Sequence, residues 1–178
     1  MSAAIQWPAL VLLLTLLSAV QMAAGRLLGL GPQQVTADLL LIVAVFLALR
    51  SNSDYTLTAC WFVGLAKDLT SASVLGGYAI SVLLVCRVIM ASREYLYAEN
   101  AFTMIFVTLL SALAVEHLSW WINVLRSGAG PWFSLRLTFE ILFSALFTAA
   151  VSPYGQILLL KLHRQMGIDR KQMLPRPI

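Results

Sequence analysis

The stretch WFVGLAKDLTSASVLGGYAIS, Trp61 to Ser81, places a Lys-Asp pair and a Gly-Gly pair inside sequence otherwise apolar enough for a bilayer. In lipid, every backbone N–H and C=O must be paired within the protein. Such a chain is confined to helices, and any break between them must supply its own hydrogen-bond partners. The small residues after Asp68 predict a break of this kind, with Ser71 and Ser73 placed to serve free backbone groups. An ionisable side chain at membrane depth is costly and calls for a partner or a role. Asp68 is therefore the sharpest polar feature of the chain.

The wider composition agrees. Hydrophobic residues make up 60% of the 178 positions and charged residues 11%, against about 25% charge in soluble domains. The sequence predicts an all-α integral membrane protein with no room for a soluble catalytic domain. Its net charge of +4 does not point to nucleic acid, because the basic residues stand singly between apolar runs. Only the tail gathers them, at Lys161, Arg164, Arg170, Lys171 and Arg176, as expected on the cytoplasmic flank of a last membrane helix. Cys60 and Cys86 lie in apolar runs and read as small buried hydrophobes rather than a disulfide or metal pair.

A spanning helix needs about 20 apolar residues, and six segments approach or reach that length. The first, Trp7 to Gly25, reads as a retained helix rather than a cleaved signal, since only the terminal amine would supply a positive start. The others are Val35 to Leu49, Tyr55 to about Asp68, about Leu75 to Met90, Ala101 to Val124, and Trp132 or Leu135 to Leu160. Thr36 and Asp38 suit a helix start. The fifth segment is expected to end at Glu116 and His117 and to resume at Leu118. Trp120 and Trp121 then serve as interface anchors, and Arg136 and Glu140 form an i, i+4 pair. The resulting architecture is a six-helix transmembrane domain over residues 1–160 and a short basic tail over 161–178. An even helix count with the tail inside puts both termini in the cytoplasm, with eight basic residues inside and four outside.

No nucleophile elbow, phosphate-binding glycine loop or zinc-protease helix is present, and His117 and His163 lack metal spacing. The reading is not an enzyme, without cofactor or metal. Gly64 and Asp68 are one turn apart on one helix face, where glycine allows close approach of a second helix. Asp68 then caps the following break, pairs with Lys67, or lines a ligand pocket or proton path. Asp38, Lys67, Asp68 and Glu116 are the possible polar pocket.

The order of these features resembles the family of the rod shape-determining protein MreD. The resemblance runs from about Ala37 to Ile122: Asp38-Leu39-Leu40-Leu41 through Leu47-Ala48-Leu49-Arg50, then Gly64-Leu65-Ala66-Lys67-Asp68, then Leu75-Gly76 and Tyr78-Ala79-Ile80-Ser81. It marks Gly64, Asp68, Leu75 and Gly76 as motif and helix-packing positions. It implies a non-enzymatic scaffold of the bacterial elongation machinery, in the inner membrane. The implied partners are an MreC-like scaffold protein, a RodA-type glycosyltransferase, a class B penicillin-binding protein, membrane lipid and, indirectly, MreB-type filaments. The family also resembles the substrate-binding subunits of energy-coupling-factor transporters, which makes a vitamin-type binding subunit the alternative. Lys67 beside Asp68, and the Glu116-His117 pair where a lone acid is usual, depart from the family pattern.

Overall fold

A computed structural model describes residues 7–27, 37–51, 55–71, 75–92, 100–127 and 135–165. They form six helices: α1 (Trp7–Leu27), α2 (Leu39–Arg50), α3 (Thr56–Thr70), α4 (Gly77–Ser92), α5 (Ala101–Ser127) and α6 (Leu135–Gln165). Among the described residues there is no strand. Phe102–Arg126 and Thr138–Lys161 are long and apolar enough to cross a membrane, while Leu10–Ala23, Leu39–Arg50 and Gly77–Ser92 are shorter apolar helices.

The short α2 is the centre of the bundle. Leu40 through Phe46, Ala48 and Leu49 are all buried, and the other five helices touch it. A helix buried all round has no use for an amphipathic stripe, which is why α2 is apolar at nearly every position. Around it, α3 and α4 form a tight antiparallel hairpin and α5 and α6 a longer one. A Cβ built on Gly64 would lie 2.6 Å from Ala79 Cα, so glycine is what lets α3 and α4 meet. A Cβ on Gly155 of α6 would lie 3.0 Å from Ile42 Cγ2 on α2.

The distribution of polarity is that of a protein bathed in lipid. Phe102, Phe106, Phe143, Phe147 and Tyr154 project outward from α5 and α6. Between the same helices, Thr108 and Ser152 share a buried 2.8 Å hydrogen bond, with Gln156 beside them. Polar groups hidden between helices and large apolar groups outside suit a membrane protein.

Several helix ends shift by two or three residues from the sequence reading, and three differences are larger. The second helix begins at Leu39, not Val35, because Asp38 caps it: Asp38 Oδ1 accepts from Leu41 N at 3.1 Å. Helix α5 runs unbroken through Glu116 and His117, whose charge and ring find partners without a break. His117 Nδ1 lies 2.8 Å from Leu113 O on its own helix. Helix α6 continues past Leu160 to Gln165, with Pro153 inside it. Residues 28–36, Ser73, residues 93–99, the side chains of Arg136 and His163, and residues 166–178 lie outside the described residues.

Candidate functional site

Lys67 and Asp68 are neighbours on α3, and successive helical residues point about 100° apart. They therefore serve different partners, and Lys67 is bound to carboxylates other than Asp68. Lys67 Nζ contacts Asp38 Oδ2 at 2.5 Å and Glu116 Oε1 at 2.7 Å. It also sits 4.1 Å from the centroid of the Tyr78 ring, a cation–π contact. The Tyr78 hydroxyl donates to the second oxygen of Glu116 at 2.9 Å. At its other end, Asp38 N donates to Thr148 Oγ1 at 3.0 Å. One lysine thus connects α2, α3, α4 and α5, and Asp38 extends the connection to α6. Burial makes each member dependent on the others, since removing one partner of a buried pair costs about 3–5 kcal/mol.

Asp68 does different work. Its carboxylate is 1% exposed and accepts from the backbone amides of Gly76, Tyr78 and Ala79, each at 3.0 Å. These are the free N–H groups at the start of α4, which any helix leaves without intrahelical partners. The residue before α4 is Gly76, which has no side chain to cap with and adopts φ +94°. The cap therefore comes from the preceding helix, and the negative charge meets the positive end of the α4 dipole. The α3 terminus is satisfied in turn: Thr70 Oγ1 and Ser71 N donate to Lys67 O, and Ser71 Oγ to Asp68 O. Arg126 on α5 closes the turn by donating to Leu75 O at 2.7 Å.

Of the four residues proposed as a polar pocket, Asp38, Lys67 and Glu116 come together and Asp68 stands apart in the α4 cap. Gly64 and Gly76 lie in the α3–α4 contact and its turn, while Leu75 is exposed and contributes its carbonyl. Trp121 is exposed, Trp120 half-buried, and their rings meet edge to face at 5.3 Å. A cavity of about 280 Å³ opens beside Glu116, lined also by Tyr78, Trp120, Asn123 and Glu140. Sequence reading missed Tyr78 and Asn123. Tyr78 follows the glycine pair within the quoted motif, which was the available signal; Asn123 carried none beyond its position seven residues after Glu116. Among the described residues no group of three or more His, Cys, Asp or Glu is placed to hold a metal.

A helical bundle with an apolar exterior, whose buried charges join helices to one another, suits a membrane protein. Comparison with known families makes this specific. The chain matches the family model of the rod shape-determining protein MreD over residues 2–158 and belongs to that family. Its role accordingly lies in rod shape determination. No curated protein and no solved structure matches the chain.

Proposed function

We propose that the chain is a six-span inner-membrane scaffold of the elongation machinery, binding an MreC-like partner and supporting peptidoglycan synthesis. Both termini face the cytoplasm in this reading, so the Lys67 network and the α4 cap lie toward the periplasmic face, where such a partner has its bulk. A RodA-type glycosyltransferase and a class B penicillin-binding protein are the further expected partners. The observation that carries the proposal is the use of the buried polar groups. Asp38, Lys67, Asp68, Tyr78 and Glu116 all bond between helices, which makes a rigid platform for a partner. The alternative, a vitamin-binding subunit with the energy-coupling-factor fold, centred on Asp68. That carboxylate is held by three amides and does not line the cavity, so nothing at Asp68 favours it.

Affinity purification of the tagged protein from its own membranes in mild detergent tests the proposal. Recovery of a single-span MreC-like protein is the expected result. Recovery of an ATPase pair with a coupling subunit would overturn it.

A further inference from the structure

Glu116 and His117 part company on α5. Glu116 turns inward to Lys67, while His117 is exposed on the outer side of the helix. Phe102, Phe106, Leu110, Trp121 and Leu125 are exposed on that side as well. With His117 they follow one another at steps of four or seven residues, so they form one broad stripe. The span Phe102–Arg126 has 25 residues, about 37 Å at 1.5 Å per residue. The hydrocarbon core takes about 30 Å, or about 20 residues. Wherever that window falls on the span it includes residues 107–121. With α5 crossing the membrane, His117 and Trp121 therefore both face hydrocarbon.

The two nitrogens of the His117 ring differ. Nδ1 lies 2.8 Å from Leu113 O, and a carbonyl can only accept, so Nδ1 carries the hydrogen. In the neutral imidazole Nε2 is then an acceptor. Among the described residues nothing donates to Nε2, and nothing accepts from the Trp121 indole N–H. Lipid tails offer neither donor nor acceptor, so each group is costly where it stands.

The outer face of α5 thus carries an unpaired acceptor and an unpaired donor one turn apart. A foreign helix would have to supply both complements at matching levels, whereas a second copy of this chain has them already. Two copies in one membrane point the same way. A twofold axis between them therefore stands along the membrane normal, with the two α5 helices parallel. In a twofold interface residue i meets j and j meets i, so one His–Trp contact becomes two. The levels agree, because a long helical side chain lies back over the turn before its own Cα. The turn before Trp121 is the one that holds His117.

We propose that the outer face of α5 is a homodimer interface within the membrane, in which Trp121 Nε1 of each copy donates to His117 Nε2 of the other. The inference rests on α5 crossing the membrane and is independent of the MreC-like partner.

The test follows self-association of the full-length protein in liposomes, by energy transfer between tagged copies as added lipid dilutes them. The expected result is a dimer that dissociates on dilution. His117→Leu and Trp121→Phe should each weaken it about tenfold, as suits the loss of two hydrogen bonds between membrane helices. Both substitutions remove the same bonds, so the double variant should be no weaker than either single one. Cross-linking in membranes gives a second reading that leaves both residues in place. Leu113→Cys should join two copies through a short bis-maleimide, and the exposed Leu12→Cys, on a helix that does not touch α5, should not. A wild-type chain that stays monomeric at every density overturns the proposal. So do single variants that associate like wild type, a double variant weaker than both singles, or cross-linking at Leu12 equal to that at Leu113.

Discussion

Gly64→Ala is the smallest change that should separate α3 from α4. The added Cβ would fall 2.6 Å from Ala79 Cα, 3.1 Å from Tyr78 O and 3.2 Å from Ala79 N. All three are backbone atoms, so no side chain can turn away. Restoring ordinary contact, at 3.4 Å or more, moves the helices apart by about 0.8 Å. Asp68 lies one turn further along the same face, and its three bonds to α4 amides start at 3.0 Å. The same displacement carries them to about 3.8 Å, beyond hydrogen-bonding range. Overpacking costs about 1–3 kcal/mol, and each bond to a charged acceptor contributes about 1.5–3 kcal/mol. Even with only one bond lost, the total is about 2.5 kcal/mol or more. For a chain of this size that is a fall in melting temperature of at least about 5–10 °C. The assay is melting of the purified protein in detergent, followed by tryptophan fluorescence. Gly77→Ala is the control, because its Cβ would meet only the side-chain amide of Asn123, at 3.4 Å or more; it should melt within about 2 °C of wild type. Gly64→Leu should abolish co-purification of the MreC-like partner as well. If Gly64→Ala melts like Gly77→Ala, the close approach of α3 and α4 is not what holds the hairpin.

Lys67→Met leaves Asp38 and Glu116 facing each other without their cation and should destabilise by about 3–5 kcal/mol. Adding Asp38→Asn and Glu116→Gln should recover most of that loss in the same melting assay, while no recovery would mean that Lys67 acts through something other than charge. Asp68→Asn keeps the shape of the carboxylate but turns one acceptor into a donor facing α4 amides. It should cost about 1.5–3 kcal/mol and raise hydrogen exchange selectively at Gly76, Tyr78 and Ala79. Gly76→Ala meets the positive φ of +94° and should cost about 1–3 kcal/mol, read as a lower melting temperature with partner binding retained.

Helix existence was legible because the bilayer leaves so few alternatives: runs such as Leu39–Leu49 and Leu135–Leu160 admit helix and little else. The positions of Gly64 and Asp68 were equally legible, since spacing i, i+4 fixes a shared face whatever the partner. Who their partners are was not. Lys67 and Asp68 are adjacent in sequence, and adjacency suggested mutual neutralisation; helical geometry sends them to opposite tasks. Glu116 looked like the end of a helix because a charge in an apolar run usually is one. It stays inside α5 because Lys67 arrives from 49 positions earlier in the chain and Tyr78 from 38, a distance over which no local pattern carries information. The same reasoning explains why Asn123 and Glu140 went unread as a pair: only the antiparallel register of α5 and α6 brings them to one cavity. In a chain with few charges, each buried one must find its partner across the fold, so the charges predicted that a polar centre exists, and only the packing of six helices could say where.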